Sequence, residues 1–251
     1  MKFRCERDVL ADALAAAGRA ATGRTGTLPV LSGVRLELGG DRLVVTGTDL
    51  DLTIQLELSV GGEGDGAVVV PARLASDIVR ALGDPRVEVT ASDDEVEIAA
   101  GRSRFSVRPL SLDDYPRLSS PAANSVTLPA GQFGEALRQV VRAASSDDAR
   151  PILTGVLLAS EGDGLRLVAT DSYRLAVRDL EGTSVLGHDQ KVLVPSRALQ
   201  ELQRLLGNEA EITLRLGERE ATFEVGSARL GEFKVHTDEV TEKVVPALMA
   251  A

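Results

Sequence analysis

The chain repeats itself, and that constrains its fold more than any other feature of its 251 residues. Residues 29–34 read PVLSGV, and residues 151–156 read PILTGV, 122 positions later. Thr48-Asp49 returns at the same offset as Thr170-Asp171. VPARLASDIVRALG (70–83) matches VPSRALQELQRLLG (194–207), and EVEIAAGRSRF (95–105) runs loosely parallel to EATFEVGSARL (220–230). Three blocks in one order, with little drift, mark a duplicated structural unit. The expected domains are 1–120 and 125–251. SSPAANS (119–125) has the composition of a linker, and the second copy diverges from about residue 231.

Each copy has the same grammar. Residues 1–6 suit a short strand. In residues 7–22, Val9, Leu10, Ala13, Leu14 and Ala17 recur at helical spacing, and Gly23 and Gly26 stop the helix. GVRLELGG, DRLVVTGTD and LTIQLELSV alternate with period two, and the GGD at 39–41 is a hairpin turn. GGEGDG (61–66) reads as a loop. AVVV (67–70) is a strand, and Pro71 opens a helix that Gly83 ends. RVEVTA, EVEIAAG and RFSVRP close the unit. The second copy predicts helices at 131–144 and 195–206. Its strands are expected near 155–160, 164–169, 173–178, 191–194, 210–216 and 219–225. Each half of each copy is therefore a strand, a helix and three strands. Alternating rather than wholly apolar strands predict antiparallel sheets with one wet face, covered on the other by helices. The fold class is α+β, two helices on antiparallel sheets, twice over.

Apolar residues make up 43% of the chain, enough for a sizeable core. That core rests on Leu, Val, Ile and Ala, because aromatics are only 3% and Trp is absent. The N-terminal MKFRCERDVL carries charges where a signal peptide needs an apolar run. No stretch approaches the 18 or so apolar residues that a membrane span requires. The expected location is the cytoplasm, with no membrane partner.

The formal net charge is −10, which by itself argues against nucleic acid. The distribution reverses that reading. The helical segments 7–24, 71–82, 131–146 and 195–206 hold nine arginines: Arg7, Arg19, Arg24, Arg73, Arg80, Arg138, Arg142, Arg197 and Arg204. They hold five acids: Asp8, Asp12, Asp77, Glu135 and Glu201. An acidic protein thus keeps a basic excess on its helices. Arg73 and Arg80 share a helix face, Arg197 and Arg204 repeat that spacing, and Arg138 and Arg142 are i,i+4. Ordinary solvated helix faces would account for any single pair. Together they fit a helix-lined surface against a phosphate backbone. No Asn or Gln cluster and no recognition motif is present to read bases, so the contact is expected to be non-specific.

The residues offer no catalytic constellation, metal site or cofactor motif. One Cys and two His (His188 and His236) cannot build the usual zinc centres. No G-x-S-x-G elbow exists, and GGEGDG lacks the Lys-Ser/Thr of a phosphate loop. Asp51, Asp113 and Asp114 read as turn and strand-end acids rather than Mg²⁺ ligands. Asp49 and Asp171, each after a Thr, read as repeated turn caps. Cys5 reads as a small hydrophobe.

Long blocks of the sequence carry a family resemblance. RPILTGVLLASEGDGLRLVATDSYRLAVRDL (150–180), KVLVPSRALQEL (191–202), TLPVLSGVRLEL (27–38), LVVTGTDLDLTI (43–54), VVVPARLASDIVRAL (68–82) and FSVRPLSLDDYPRL (105–118) resemble the bacterial sliding clamps, the beta subunits of DNA polymerase III. The resemblance covers about residues 1–230. It implies the DNA clamp fold, with helices on the inner wall of a ring and sheets outside. It implies a non-catalytic processivity factor that encircles duplex DNA, tethers the replicative polymerase, and meets the clamp loader and repair proteins. It matches Arg24 to the family's basic loop residue facing DNA, which joins the helix arginines Arg73, Arg80, Arg138, Arg142, Arg197 and Arg204 as the expected DNA-facing set. The residues it assigns to a peptide-binding pocket are Leu153, Thr170, Ser172, Tyr173, Arg174 and Leu175.

The departures are also specific. Family clamps have three domains, and this chain matches two. The first domain keeps Leu112-Asp113-Asp114-Tyr115-Pro116, but the second ends in GEFKVHTDEVTEKVVPALMAA (231–251). Family rings close as dimers. Two domains per chain would close six domains as a trimer through a heterologous contact. A protein-interaction or regulatory module that binds clamp-binding peptides without closing on DNA is the alternative.

Overall fold

The computed structural model describes residues 1–22, 28–118, 125–161, 164–181, 191–216 and 221–231. Its chain contacts separate two compact units, Met1–Leu118 and Ser119–Ala251.

The first unit runs β1 (Lys2–Glu6), α1 (Arg7–Gly18), a 3-10 turn (Pro29–Ser32), β2 (Gly33–Gly39), β3 (Arg42–Thr48), β4 (Thr53–Ser59), β5 (Gly61–Glu63), β6 (Gly66–Pro71), α2 (Ala72–Ala81), β7 (Arg86–Ala91), β8 (Val96–Ala100) and β9 (Ser103–Val107). The strand orders are β5-β1-β7-β8-β9 and β4-β3-β2-β6, antiparallel throughout. The second unit runs β10 (Ser125–Pro129), α3 (Ala130–Val140), 3-10 turns at Val141–Ala143 and Pro151–Thr154, β11 (Gly155–Glu161), β12 (Gly164–Thr170), β13 (Leu175–Leu180), β14 (Lys191–Pro195), α4 (Ser196–Leu206), β15 (Glu211–Leu216), β16 (Ala221–Val225) and β17 (Ala228–Gly231). Here β10-β15-β16-β17 and β13-β12-β11-β14 are neighbours in order, again antiparallel. The duplicated sequence has produced a duplicated fold.

Three helices start from one junction. A strand ends on Pro71, Pro129 or Pro195, and the helix begins at the next residue. Proline cannot donate the N–H that a continuing strand or a helix interior needs, so it suits this changeover. The helices then bury an apolar face. In the first unit Leu10, Leu14 and Ala17 of α1 and Ala75 and Val79 of α2 share one core with Phe3, Leu36, Val45, Val89 and Ile98 from both sheets. In the second, Phe133 of α3 meets Phe223 of β16 with ring centroids 6.1 Å apart. Fully burying each such Leu or Phe is worth about 1.5–3 kcal/mol. No helix among the described residues is long and apolar enough to cross a membrane.

The structure corrects several boundaries. α1 stops at Gly18, four residues before the predicted end. α3 ends at Val140 and tightens into the 3-10 turn Val141–Ala143. Gly61–Glu63, expected as loop, pairs with β1 as a short edge strand, Phe3 opposite Gly62. The strand expected at 173–178 is β13 at Leu175–Leu180, because a turn occupies residues 171–174. β17, not anticipated as a separate strand, pairs with β16, Phe223 opposite Leu230.

Candidate nucleic-acid interface and peptide-docking loop

Three helices present arginines and one acid along a stripe. On α2 the stripe is Arg73, Asp77 and Arg80, and on α4 it is Arg197, Glu201 and Arg204. On α3 it is Glu135 and Arg138, continued by Arg142 on the 3-10 turn. Residues three, four and seven apart share a helix face. The acid binds one arginine in each case. Arg73 Nε lies 3.9 Å from Asp77 Oδ2, with the Arg73 side chain 96% exposed. Arg138 Nε donates to Glu135 Oε2 at 3.1 Å, and Arg204 Nη1 donates to Glu201 Oε1. Arg138 also holds the Glu135 carboxyl below the usual range. Arg80 and Arg142 are exposed and have no side-chain partner among the described residues. Arg197 is half-buried. Arg24 lies outside the described residues. Within the second unit α3 packs on α4, so two of these stripes belong to one helix pair.

On α2 and α3 the stripe therefore keeps one exposed arginine, Arg80 or Arg142, beyond the one its acid holds, while on α4 Glu201 holds Arg204. Such a surface attracts a polyanion through its exposed, screened arginines, Glu201 of α4 being buried.

The second candidate region is the turn between β12 and β13. Thr170 ends one strand, Leu175 begins the next, and Ser172, Tyr173 and Arg174 form the tip. Ser172 has φ 78°, the left-handed region that few non-glycine residues adopt. Thr170 Oγ1 accepts the Ser172 N–H at 3.1 Å and donates to the Arg174 carbonyl at 2.7 Å. Asp171 Oδ1 accepts the N–H groups of Tyr173 at 2.9 Å and Arg174 at 3.0 Å. These donors, with the Arg174 guanidinium 3.0 Å from Oδ2, keep the Asp171 carboxyl below its ordinary range. Tyr173 stands 95% exposed, and Leu175 and Val177 on the following strand are 39% and 47% exposed. Leu153, half-buried in the turn Pro151–Thr154, is reached through Arg150. The Arg150 carbonyl accepts the Leu153 N–H at 3.0 Å, and Arg150 Nη1 donates to Ser172 Oγ at 3.2 Å. Asp147 Oδ2 accepts from Arg150 Nε at 2.9 Å.

The same turn exists in the first unit. Thr48 Oγ1 accepts the Leu50 N–H at 3.1 Å, Asp49 Oδ1 accepts those of Asp51 and Leu52 at 3.2 and 2.8 Å, and Leu50 has φ 75°. The repeated Thr-Asp is thus a turn cap in both copies. Arg150 and Val177 escaped the sequence reading. Strand alternation from Leu175 would have found Val177, but nothing local marks Arg150 as a brace. His188, His236 and the divergent residues beyond 231 fall outside the described residues.

Tyr115 of the LDDYP segment is buried and donates its hydroxyl to the Thr46 carbonyl at 2.9 Å, packed with Val30, Leu31 and Val69. Its role here is structural. Among the described residues no three His, Cys, Asp or Glu side chains converge as a metal site would need. A concavity of about 550 Å³ is lined by Gln132 and Glu135 of α3 and by Arg178–Glu181, with mixed charge and no enclosed apolar lining.

Comparisons with known proteins bear on the fold and the family. Residues 1–119 match the family described as DNA polymerase III beta subunit, N-terminal domain, and residues 127–232 match its central domain. The chain is 35% identical to the beta sliding clamp of Micrococcus luteus over 87% of its own length and 70% of that protein's. It is 35% identical to the beta sliding clamp of Streptomyces coelicolor over 86% of itself and 57% of that protein. It superposes on the crystal structure of the Bacillus subtilis sliding clamp with a TM-score of 0.87 at 28% identity, covering 94% of this chain and 64% of the other. The chain therefore spans little more than half to about two thirds of the length of these relatives. Two domain matches in family order, on a fold that superposes over nearly the whole chain, place it: it belongs to the bacterial beta sliding clamp family, the beta subunits of DNA polymerase III.

Proposed function

We propose that the chain is a sliding-clamp processivity factor, a non-catalytic accessory to DNA polymerase III that holds the polymerase on duplex DNA. The observation that carries this reading is the Arg–acid–Arg stripe on α2 and α4, one helix from each copy, in a chain whose remaining charge is strongly acidic. The stripes, with Arg24, face the phosphates and make weak contacts in any sequence. The pocket at Leu153, Thr170, Ser172, Tyr173, Arg174 and Leu175 takes a short apolar peptide of the polymerase, the clamp loader or a repair protein, anchored by a few residues in a groove. The chain works in the cytoplasm and closes a ring with copies of itself.

Retention on nicked circular DNA tests this. Arg80→Glu with Arg142→Glu should abolish retention that survives gel filtration, and unchanged retention would sink the helix assignment. A second reading has support from the exposed Tyr173 tip, which is formed without any partner: a clamp-derived module that binds the same peptides without encircling DNA. It expects indifference to those charge reversals but loss of peptide binding in Tyr173→Ala with Leu175→Ala.

A further inference from the structure

We infer that Asp171 is the positioning residue of the peptide-docking loop, holding the tip in its binding shape before any peptide arrives. The inference rests on the pocket reading above and extends it to a residue that touches no peptide.

The backbone of the tip is not one the chain would choose alone. Ser172 sits at φ 78°, where its Cβ crowds the backbone. Something must hold it there, and the Asp171 carboxylate is placed to do so. One oxygen receives the Tyr173 and Arg174 N–H groups, and the other lies 3.0 Å from the Arg174 guanidinium. The cap thus orders three consecutive residues and turns Arg174, an expected peptide contact, back against the turn. Thr170 closes the same turn from the other strand, and Arg150 braces Ser172 from the side. The result is an outward Tyr173 followed by the exposed Leu175 and Val177, an apolar strip already in place. Ordering such a loop only on binding would weaken affinity by the conformational freedom lost, so a preformed tip binds tighter.

The first unit separates this role from mere folding. Asp49 makes the same pair of backbone contacts, yet it is only 6% exposed and also lies 3.4 Å from the Thr22 hydroxyl. Its tip carries Asp51 and Leu52 in place of Tyr173 and Arg174. Asp49 is the cap without the docking residues, and it serves as an internal control.

The test measures affinity by fluorescence anisotropy, using the full chain and a fluorescein-labelled peptide of the clamp-binding segment of the polymerase III alpha subunit. Asp171→Ala should weaken binding about tenfold, equivalent to about 1.4 kcal/mol. Asp171→Asn keeps an acceptor for both N–H groups and should restore affinity to near the parent value. Asp49→Ala should lower Tm yet leave peptide affinity unchanged. The chain has only two tyrosines, so 3-fluorotyrosine gives each its own ¹⁹F signal. Asp171→Ala should shift the Tyr173 signal and leave that of Tyr115 in place. Unchanged affinity in Asp171→Ala, no rescue by Asp171→Asn, or an unmoved Tyr173 signal would each overturn the positioning role. Tyr173→Ala with Leu175→Ala distinguishes the failures. If that pair leaves binding intact, the pocket itself is wrong; if it abolishes binding while Asp171→Ala does not, only the positioning role falls.

Discussion

At the scale of single residues, the hydrogen-bond partners decide most of the chemistry. Burial, with a smaller push from Glu6, drives the Cys5 thiol up to about 12. The thiolate is the reactive form, so Cys5 should alkylate far more slowly than a free thiol at pH 8. Iodoacetamide labelling with and without urea checks this, and equal rates would contradict the half-buried placement of Cys5 on β1. Asp147, Asp171 and Asp179 all have depressed carboxyl pKa values, the first two mainly through backbone N–H donors and Asp179 through Arg166. For depressed acids the stabilising contribution is present above the ordinary carboxylate value. It disappears as pH falls through the lower native one. Carboxyl ¹³C titration should therefore place all three midpoints below that of an unstructured aspartate. Tyr115→Phe removes a buried hydrogen bond to the Thr46 carbonyl and should cost about 0.5–1.5 kcal/mol by urea unfolding. The sequence marked Tyr115 through its LDDYP setting, but only the fold showed that the hydroxyl is an anchor.

At the scale of elements, two features follow from close packing and helix-face spacing. A Cβ on Gly47 of β3 would sit 1.9 Å from the Ala17 carbonyl of α1. The obstacle is backbone and cannot swing aside. Gly47→Ala should destabilise the protein by about 2–3 kcal/mol, the upper part of the range for overpacking. A neutral result in thermal unfolding would mean that α1 can shift. The helix stripes make a second prediction. Asp77, Glu135 and Glu201 each occupy one arginine that could otherwise meet a phosphate. Replacing them by Asn, Gln and Gln should raise non-specific DNA affinity and steepen its dependence on salt, because more counterions are released. Binding isotherms across a salt series check both. The stripes themselves were readable from spacing alone. The pairing inside them was not, since it depends on side-chain reach rather than position.

At the scale of the whole molecule, the proposal turns on whether copies of the chain close around DNA. Absolute mass by light scattering over a concentration series is the direct measurement. A discrete species near three times 26.5 kDa is the expected outcome for a ring of six domains. A monomer at all concentrations would favour the peptide-binding module instead.

The sequence by itself determined the duplication, the strand and helix grammar, the α+β class, the clamp family and the repeated Thr-Asp turn. These are local or periodic properties, written in residues a few positions apart. The tertiary structure decided what depends on residues far apart in the chain. It paired Gly61–Glu63 with β1, pushed the start of β13 to Leu175, set Gly47 beneath Ala17, and joined Arg150 to Ser172. Periodicity says which face of an element is apolar. It does not say which neighbour that face meets, how closely the backbones approach, or which polar group is left to hold a loop.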